Sequence, residues 1–444
     1  MQRAIYTLVL YLLAPLVWMW MGHRARKAGG MWGILSRARF GGVDGSTPDP
    51  FVLAPVWVHA VSLGETRAAQ PLISDLLQQG HSILLTHTTA TGRAEGARLF
   101  AEAIASGQLR QTWLPYDFPG STRRFLGRYK PCCGLLIERE VWPNLIEQAR
   151  VQGIRMALVS ARFSASSLRQ AKWMGAVLRN ALASLDLVLA QTHEDAQRLT
   201  EAGARHVSVT GNVKFDLELP AHQRSEGQAW HRALGRPVIA IASTREGEDD
   251  LFVQAIRALR HRIVPEGSHT VTQDDASPLY IVIPRHPHRF DEIEQQLHTA
   301  GLTYIRRSHI QGAITPAVAQ QLDVVVGDSL GEMAFYYAIA DVAIVAGSFL
   351  PFGGQNLIEA CASGIPVIVG PHTFNFKQAA TDAIAAGGVI RAADISQALD
   401  IACGLLRDPP SRLAMGQAAS EWAVAHAGAT KRTLQVLDSW LDMP

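Results

Sequence analysis

Short apolar runs alternate with amphipathic stretches along most of the chain. Val56–Val61, Ser82–Thr86, Gly134–Ile137, Met156–Val159 and Leu187–Ala190 have the length and branched-residue content of buried strands. Between the first two, Ala68, Ala69, Leu72, Ile73, Leu76 and Leu77 recur at helical spacing. The second half repeats the scheme. Val238–Ala242, Leu279–Ile283, Val324–Val326, Val342–Val345 and Val367–Val369 read as strands, with helices over Leu251–Leu259 and Glu332–Ala340 among them. Such alternation predicts α/β architecture: two doubly wound parallel sheets, each covered by helices on both faces and binding ligands where strands end. The polar, proline-containing run Asp216–Pro237 reads as a linker, and 265–278 as a surface loop. A last helix near Thr430–Leu441 is placed to pack back on the first domain. The expected domains are an N-terminal flank (1–30), a first domain (31–218) and a second (219–444).

One segment departs from this pattern. Ala4–Met21 carries no charge, and as a helix it is ~27 Å long, close to the hydrocarbon thickness of a bilayer. Trp18 and Trp20 suit an interfacial belt, and His23, Arg24, Arg26 and Lys27 follow directly. No small-x-small cleavage site follows, which disfavours a secretory signal. A single-pass anchor, a deep interfacial helix and a buried helix kinked at Pro15 all remain open. The basic flank places the rest of the chain on the cytoplasmic side.

Charge sharpens this reading. The 444 residues hold 41 Lys and Arg against 39 Asp and Glu, and six of the basic ones precede the first acid, Asp44. The body is therefore mildly acidic, which argues against a nucleic-acid binder. An apolar fraction of 48% excludes wholesale disorder. Four cysteines, with no CxxC pair, suggest neither a disulfide framework nor a structural zinc site.

Candidate chemistry gathers at strand-to-helix turns. Ser62-Leu63-Gly64-Glu65 and Ser329-Leu330-Gly331-Glu332 share a tetrapeptide and both read as capping boxes. Either glutamate merely satisfies backbone donors, or it stands at a sheet's mouth ready to deprotonate a hydroxyl; local spacing does not choose. Gly353-Gly354-Gln355-Asn356 precedes a helix start, where a close-approaching backbone favours an anion. Arg285 and Arg289 in RHPHR follow another strand and suit the same phosphate or carboxylate; the ligand reading is favoured for Arg285, while Arg289 equally reads as a solvated residue at a helix start. There is no Asp-x-Asp, no GxxxxGK[ST] and no GxGxxG, so metal-chelated diphosphate, ATP and dinucleotide chemistry lose support.

Taken together, WVHAVSLGE (57–65), THTTATG (86–92), EREVWPNLI (138–146), GNVKFD (211–216), RHPHRF (285–290), GDSLGE (327–332) and AGSFLPFGGQNLIEACASGIPVIVGP (346–371) resemble the 3-deoxy-D-manno-octulosonic acid (Kdo) transferases, glycosyltransferase family 30. The resemblance implies a GT-B fold, two Rossmann-like domains facing across a cleft. It also implies inverting transfer of Kdo from CMP-Kdo to a lipid A precursor at the cytoplasmic face of the inner membrane, without metal or other cofactor. It makes Glu65 the general base and puts Glu138 and Glu140 on the acceptor side. Lys214, Arg285, Ser329, Glu332, Gly353, Gly354, Asn356 and Glu359 become donor ligands. Arg139, Ala346, Gln355 and Ala360 depart from the family's usual Thr, Gly, His and Pro. Two other expectations stay open: a different two-domain sugar-nucleotide enzyme, such as an epimerase, or a tethered binding protein without catalysis.

Overall fold

The computed structural model describes residues 2–28, 32–43, 51, 53–216, 219–263, 277–310, 312 and 314–441. The chain forms two compact units, residues 1–217 with 426–444, and 218–425.

The first unit holds seven parallel strands: β1 Val56–His59, β2 Ile83–His87, β3 Leu109–Trp113, β4 Cys133–Ile137, β5 Arg155–Ala161, β6 Leu187–Ala190 and β7 Val207–Val209. Their order is β3-β2-β1-β4-β5-β6-β7. The direction of winding therefore reverses between β1 and β4, the position where doubly wound sheets open a crevice. Central strands are buried on both faces, with Trp57, Leu84, Leu136 and Leu158 in one core and Val58, Leu85, Leu135 and Val159 in the other. The second core also takes Leu437 and Trp440 from the terminal helix Ala429–Leu441.

The second unit holds β8 Val238–Thr244, β9 Leu279–Pro284, β10 Tyr304–Arg306, β11 Val324–Val326, β12 Val342–Val345, β13 Val367–Val369 and β14 Val389–Arg391. The order β10-β11-β9-β8-β12-β13-β14 places its reversal between β8 and β12. Both sheets are all-parallel, and the fold is of the GT-B type.

Two expectations need correction. The run 216–237 is mostly the helix Ala221–Leu234, whose Trp230 and Leu234 are buried. Gly227 lets it approach the helix Met333–Ile339 so closely that a Cβ would sit 2.6 Å from the Phe335 carbonyl oxygen. Second, β3, β7, β10 and β14 carry no apolar run and were not expected as strands. Of the expected loop 265–278, residues 265–276 lie outside the described ones.

The N-terminal segment is one helix, Gln2–Ala28, continuous through Pro15. It lies against the first unit near the helices Pro119–Tyr129 and Pro143–Val151. Tyr6 donates to the buried Asp117 at 2.9 Å, Thr7 pairs with Asn144 at 3.1 Å, and Tyr11 stacks on Phe118 at 4.4 Å. Asp117 also accepts from the amides of Asn144 and Leu145, which caps the second of these helices.

Candidate active site

In the first unit, the turn after β1 carries Glu65 in the first turn of the helix Leu63–Ala68. Its Oε2 accepts from the Val61 amide at 2.6 Å. Ser62 stands at the N-cap but makes no side-chain cap bond, and Glu65 reaches the amide one residue before the N-cap, so the expected capping box does not form. Across the sheet's reversal point, the chain leaves β4 through Glu138. This residue is 7% exposed and adopts φ +64°, a left-handed conformation that costs a non-glycine residue ~1–2 kcal/mol. Ser160, in β5, adopts φ +51°, and its Oγ accepts from Gln191 Nε2 at 3.2 Å. Strain at two neighbouring strands, beside the crevice position, is characteristic of positions held for function.

Three carboxylates meet one ammonium here. Lys214 Nζ lies 2.5 Å from Glu138 Oε1, and Glu140 Oε2 accepts from Trp142 Nε1 at 2.9 Å. Burial pushes the Glu65 carboxyl up to about 8, and the negative charges of Glu138 and then Glu140 push the same way. The Val61 amide and Lys214 oppose the shift but do not cancel it. Glu65 is thus a carboxyl that changes charge in the neutral-to-alkaline range, the property a general base requires. Arg139, between Glu138 and Glu140, is exposed.

Sequence reasoning missed the layer beneath. His59, fully buried, bonds Thr86 Oγ1 through Nδ1 at 2.9 Å and places Nε2 3.5 Å from Glu140 Oε2. His87, equally buried, is held well below the ordinary imidazole range, to about 3, by desolvation and then by His59. A histidine ending each of two otherwise apolar strands was the available signal.

In the second unit, the loop after β12 runs from Ala346 to the short helix Ile358–Ala362. Gly353 and Gly354 have φ of +94° and +81°, and a Cβ at Gly353 would run into Asn375 and Phe374. Gly354 donates to the Gly347 carbonyl at 2.7 Å, and Asn356 Oδ1 accepts from the Ile358 amide at 3.2 Å. Glu359 follows in the first turn of that helix. Gln355 packs on Gly347, where a Cβ would meet its Cγ at 2.9 Å. Ala346 and Ala360 are both fully buried.

The residue that organises this loop was not foreseen. Glu248, at the start of the helix Glu248–Ile263 after β8, is fully buried. Its carboxylate accepts from the amides of Arg245 (3.0 Å), Gly347 (2.6 Å), Phe349 (2.9 Å) and Leu350 (3.2 Å). It ties together the chain leaving β8 and the chain leaving β12, the two strands that flank this sheet's reversal point.

Arg285 leaves β9, and its amide donates to Thr244 O at 3.0 Å. His286 is held below the usual imidazole range by burial, then by the charges of Arg285 and Arg245. The second cation acting on His286 alongside Arg285 is Arg245, which lies over the Phe352 ring at 4.5 Å and pairs with Glu246 at 3.0 Å. Arg289 is buried and ion-paired with Asp249, which removes it from any ligand role inferred for RHPHR. Ser329 and Glu332 follow β11, with Ser329 Oγ 2.5 Å from Glu332 Oε2 and in contact with the Tyr336 hydroxyl. Gly331 has φ +84°, and the helix begins only at Met333, so the second SLGE is a turn and not a capping box. Of the expected residues, Glu65, Glu138, Glu140 and Lys214 gather in the first unit. Arg285, Ser329, Glu332, Gly353, Gly354, Asn356 and Glu359 line strand ends or the helix that follows in the second.

Known proteins resemble this chain along its whole length. The family model described as 3-Deoxy-D-manno-octulosonic-acid transferase (kdotransferase) matches residues 36–217. A 3-deoxy-D-manno-octulosonic acid transferase of Bordetella pertussis is 62% identical over 442 residues, 99% of this chain and 100% of that one. The transferase of Haemophilus influenzae is 31% identical over 452 residues, 100% of this chain and 99% of that one. Among solved structures, a UDP-GlcNAc 2-epimerase from Neisseria meningitidis shares the fold, with a TM-score of 0.56 and 15% identity over 87% of this chain and 100% of that one. With identity of this order along its whole length, the chain belongs to the family of 3-deoxy-D-manno-octulosonic acid transferases.

Proposed function

We propose that this Kdo transferase takes its sugar from CMP-Kdo and delivers it, with inversion and without a metal ion, to a sugar hydroxyl of a lipid A precursor. Glu65 is the general base. An alcohol is a poor nucleophile until its proton has an acceptor in place, and the observation that carries the reading is the half-buried Glu65 carboxyl, pushed up to about 8 beside Glu138 and Glu140. Glu138 and Glu140 bind the acceptor sugar. Lys214 supplies a cation that answers either Glu138 or an anion of the donor. The loop through Gly353, Gly354 and Asn356, with Arg285, Ser329, Glu332 and Glu359, holds the CMP-sugar: backbone amides and a guanidinium meet the phosphate and the Kdo carboxylate, and Glu359 meets the ribose hydroxyls. Residues 4–21 hold the enzyme at the cytoplasmic face of the inner membrane, where a lipid acceptor resides.

The test incubates the enzyme with CMP-Kdo and a lipid A precursor and weighs the product. Wild type adds Kdo, also in the presence of a chelator. Glu65→Gln loses at least ~100-fold in transfer while CMP affinity measured by calorimetry stays unchanged. Near-normal transfer by that variant would remove Glu65 from the mechanism, and activity lost to chelator and restored by magnesium would remove the metal-free reading.

A further inference from the structure

The helix Gln2–Ala28 is apolar around its circumference, and such a helix needs apolar surroundings on every side. Protein provides them on one side only. Arg3, Thr7, Tyr11, Ala14, Trp18 and Met21 recur at three- and four-residue steps and so form a single stripe. Each member of that stripe makes a contact or is buried, although Tyr11 remains 53% exposed. Arg3 pairs with Glu147 at 2.6 Å, Thr7 with Asn144, and Tyr11 with Phe118; Ala14 and Met21 are buried, and Trp18 packs edge-on to Phe40 at 5.7 Å. Tyr6, beside the stripe, donates to Asp117. The docked length is ~27 Å. On the opposite side Ile5, Leu8, Leu12, Leu16, Met19 and Trp20 are more than half exposed.

We infer that this helix lies in the plane of the membrane as a monotopic anchor, with its outer face in the headgroup–acyl boundary and both its ends on the side of the globular domain. The inference rests on the membrane reading given above and decides between the two membrane placements the sequence leaves open. A single pass would carry Arg3, Tyr6 and Thr7 across ~30 Å of hydrocarbon. It would break their contacts with Glu147, Asp117 and Asn144 and leave the buried Asp117 with one donor fewer. The occupant of the outer face is a lipid surface because that face is uninterruptedly apolar and runs into a basic cluster. It has no acidic residue, a row of large apolar side chains, and a cationic end in which Arg24 lies over Trp20 at 4.9 Å. The placement has a consequence for the reaction. Trp18 also packs on Tyr116 at 5.6 Å, and Tyr116 bonds Arg39, whose guanidinium donates to Thr88 O just beyond β2. The helix thus borders the same rim of strand ends that carries Glu65, and a hydroxyl on a membrane lipid can be met without leaving the surface.

The experiment uses the full chain with a peptide tag before residue 1, bound to phosphatidylethanolamine–phosphatidylglycerol vesicles with the domain outside. Protease is added with and without detergent. The expected result is a tag removed equally in both cases from protein that floats with the vesicles. A tag protected until detergent is added would overturn the in-plane placement and leave membrane anchoring intact. Protein that does not float would overturn the membrane reading as well. A second measurement probes the docking itself. Thr7→Cys with Asn144→Cys, oxidised on vesicles, is expected to give a bridge between residues 7 and 144 in peptide mass spectra, and its absence in folded, floating protein would contradict the docked stripe.

Discussion

The tetrapeptide Ser-Leu-Gly-Glu occurs twice and folds two ways. At 62–65 its glycine is helical, its glutamate turns back to the Val61 amide, and two further carboxylates crowd the charge. At 329–332 the glycine is left-handed, the helix starts one residue after the motif, and Glu332 bonds Ser329 with the Arg307 guanidinium 3.5 Å away. One glutamate has been made hard to ionise, and the other has been given partners for its charge. Identical local sequence thus yields a carboxyl raised by burial and repulsion in one unit and an ion-paired carboxyl in the other, which is why we propose a base for the first and a binding residue for the second; the difference lies in what the rest of each sheet brings to the turn.

The largest effect that would separate the two is catalytic. Glu65→Gln is expected to reduce transfer at least ~100-fold, and Glu332→Gln less than ~10-fold with the loss in donor KM. Steady-state kinetics on both variants check this, and equal losses in kcat would erase the distinction. Next comes the support of the donor loop. Glu248→Gln replaces a buried carboxylate that serves four amides and should cost ~2–4 kcal/mol of stability in the second unit, read by thermal unfolding. CMP affinity should fall with it.

A smaller effect tests the electrostatics at Glu65. Its carboxyl is raised, so it is protonated and unable to accept a proton below about pH 8, and kcat/KM should climb with pH up to that point. Glu138→Gln removes a repulsion and should move the limb down by roughly one pH unit, whereas Lys214→Ala should move it up. The same shift has a stability sign. Between the ordinary carboxylate range and about pH 8 the folded state binds this proton more tightly than the unfolded one, so stability falls as pH rises through that window. Glu65→Gln should abolish this fall, and unfolding at pH 6 and pH 9 would reveal it. The smallest effect is conformational. Gly64→Ala should stabilise by ~0.5–1 kcal/mol, because the glycine is helical with nothing within 4 Å of a Cβ. Gly331→Ala should destabilise by ~1–2 kcal/mol, because φ is +84°. Changes of the same sign in urea unfolding would mean that the two turns are not different.

How much of this was legible in the sequence follows the same division between local and distant causes. All ten expected strands exist, and the four missed ones, β3, β7, β10 and β14, are the four sheet edges. An edge strand is only partly covered, so Leu109–Trp113 carries Arg110, Gln111 and Thr112 where a central strand carries leucine or valine. The motif residues were legible because turns at strand ends need particular residue types. Their roles were less so. Arg289 read either as an anion ligand or as a solvated helix start, and only the fold shows it buried against Asp249. Glu248 carried no signal in the sequence, because three of its four donors lie about a hundred residues away.

The central claim is that Glu65 receives the acceptor's proton. Its most direct test is the pH dependence of kcat/KM for Kdo transfer, measured on wild type and on Glu65→Gln under identical conditions. The account predicts a rising limb that levels near pH 8 in wild type, and residual transfer without that limb in the variant. A variant that keeps both the wild-type rate and the wild-type profile would contradict it.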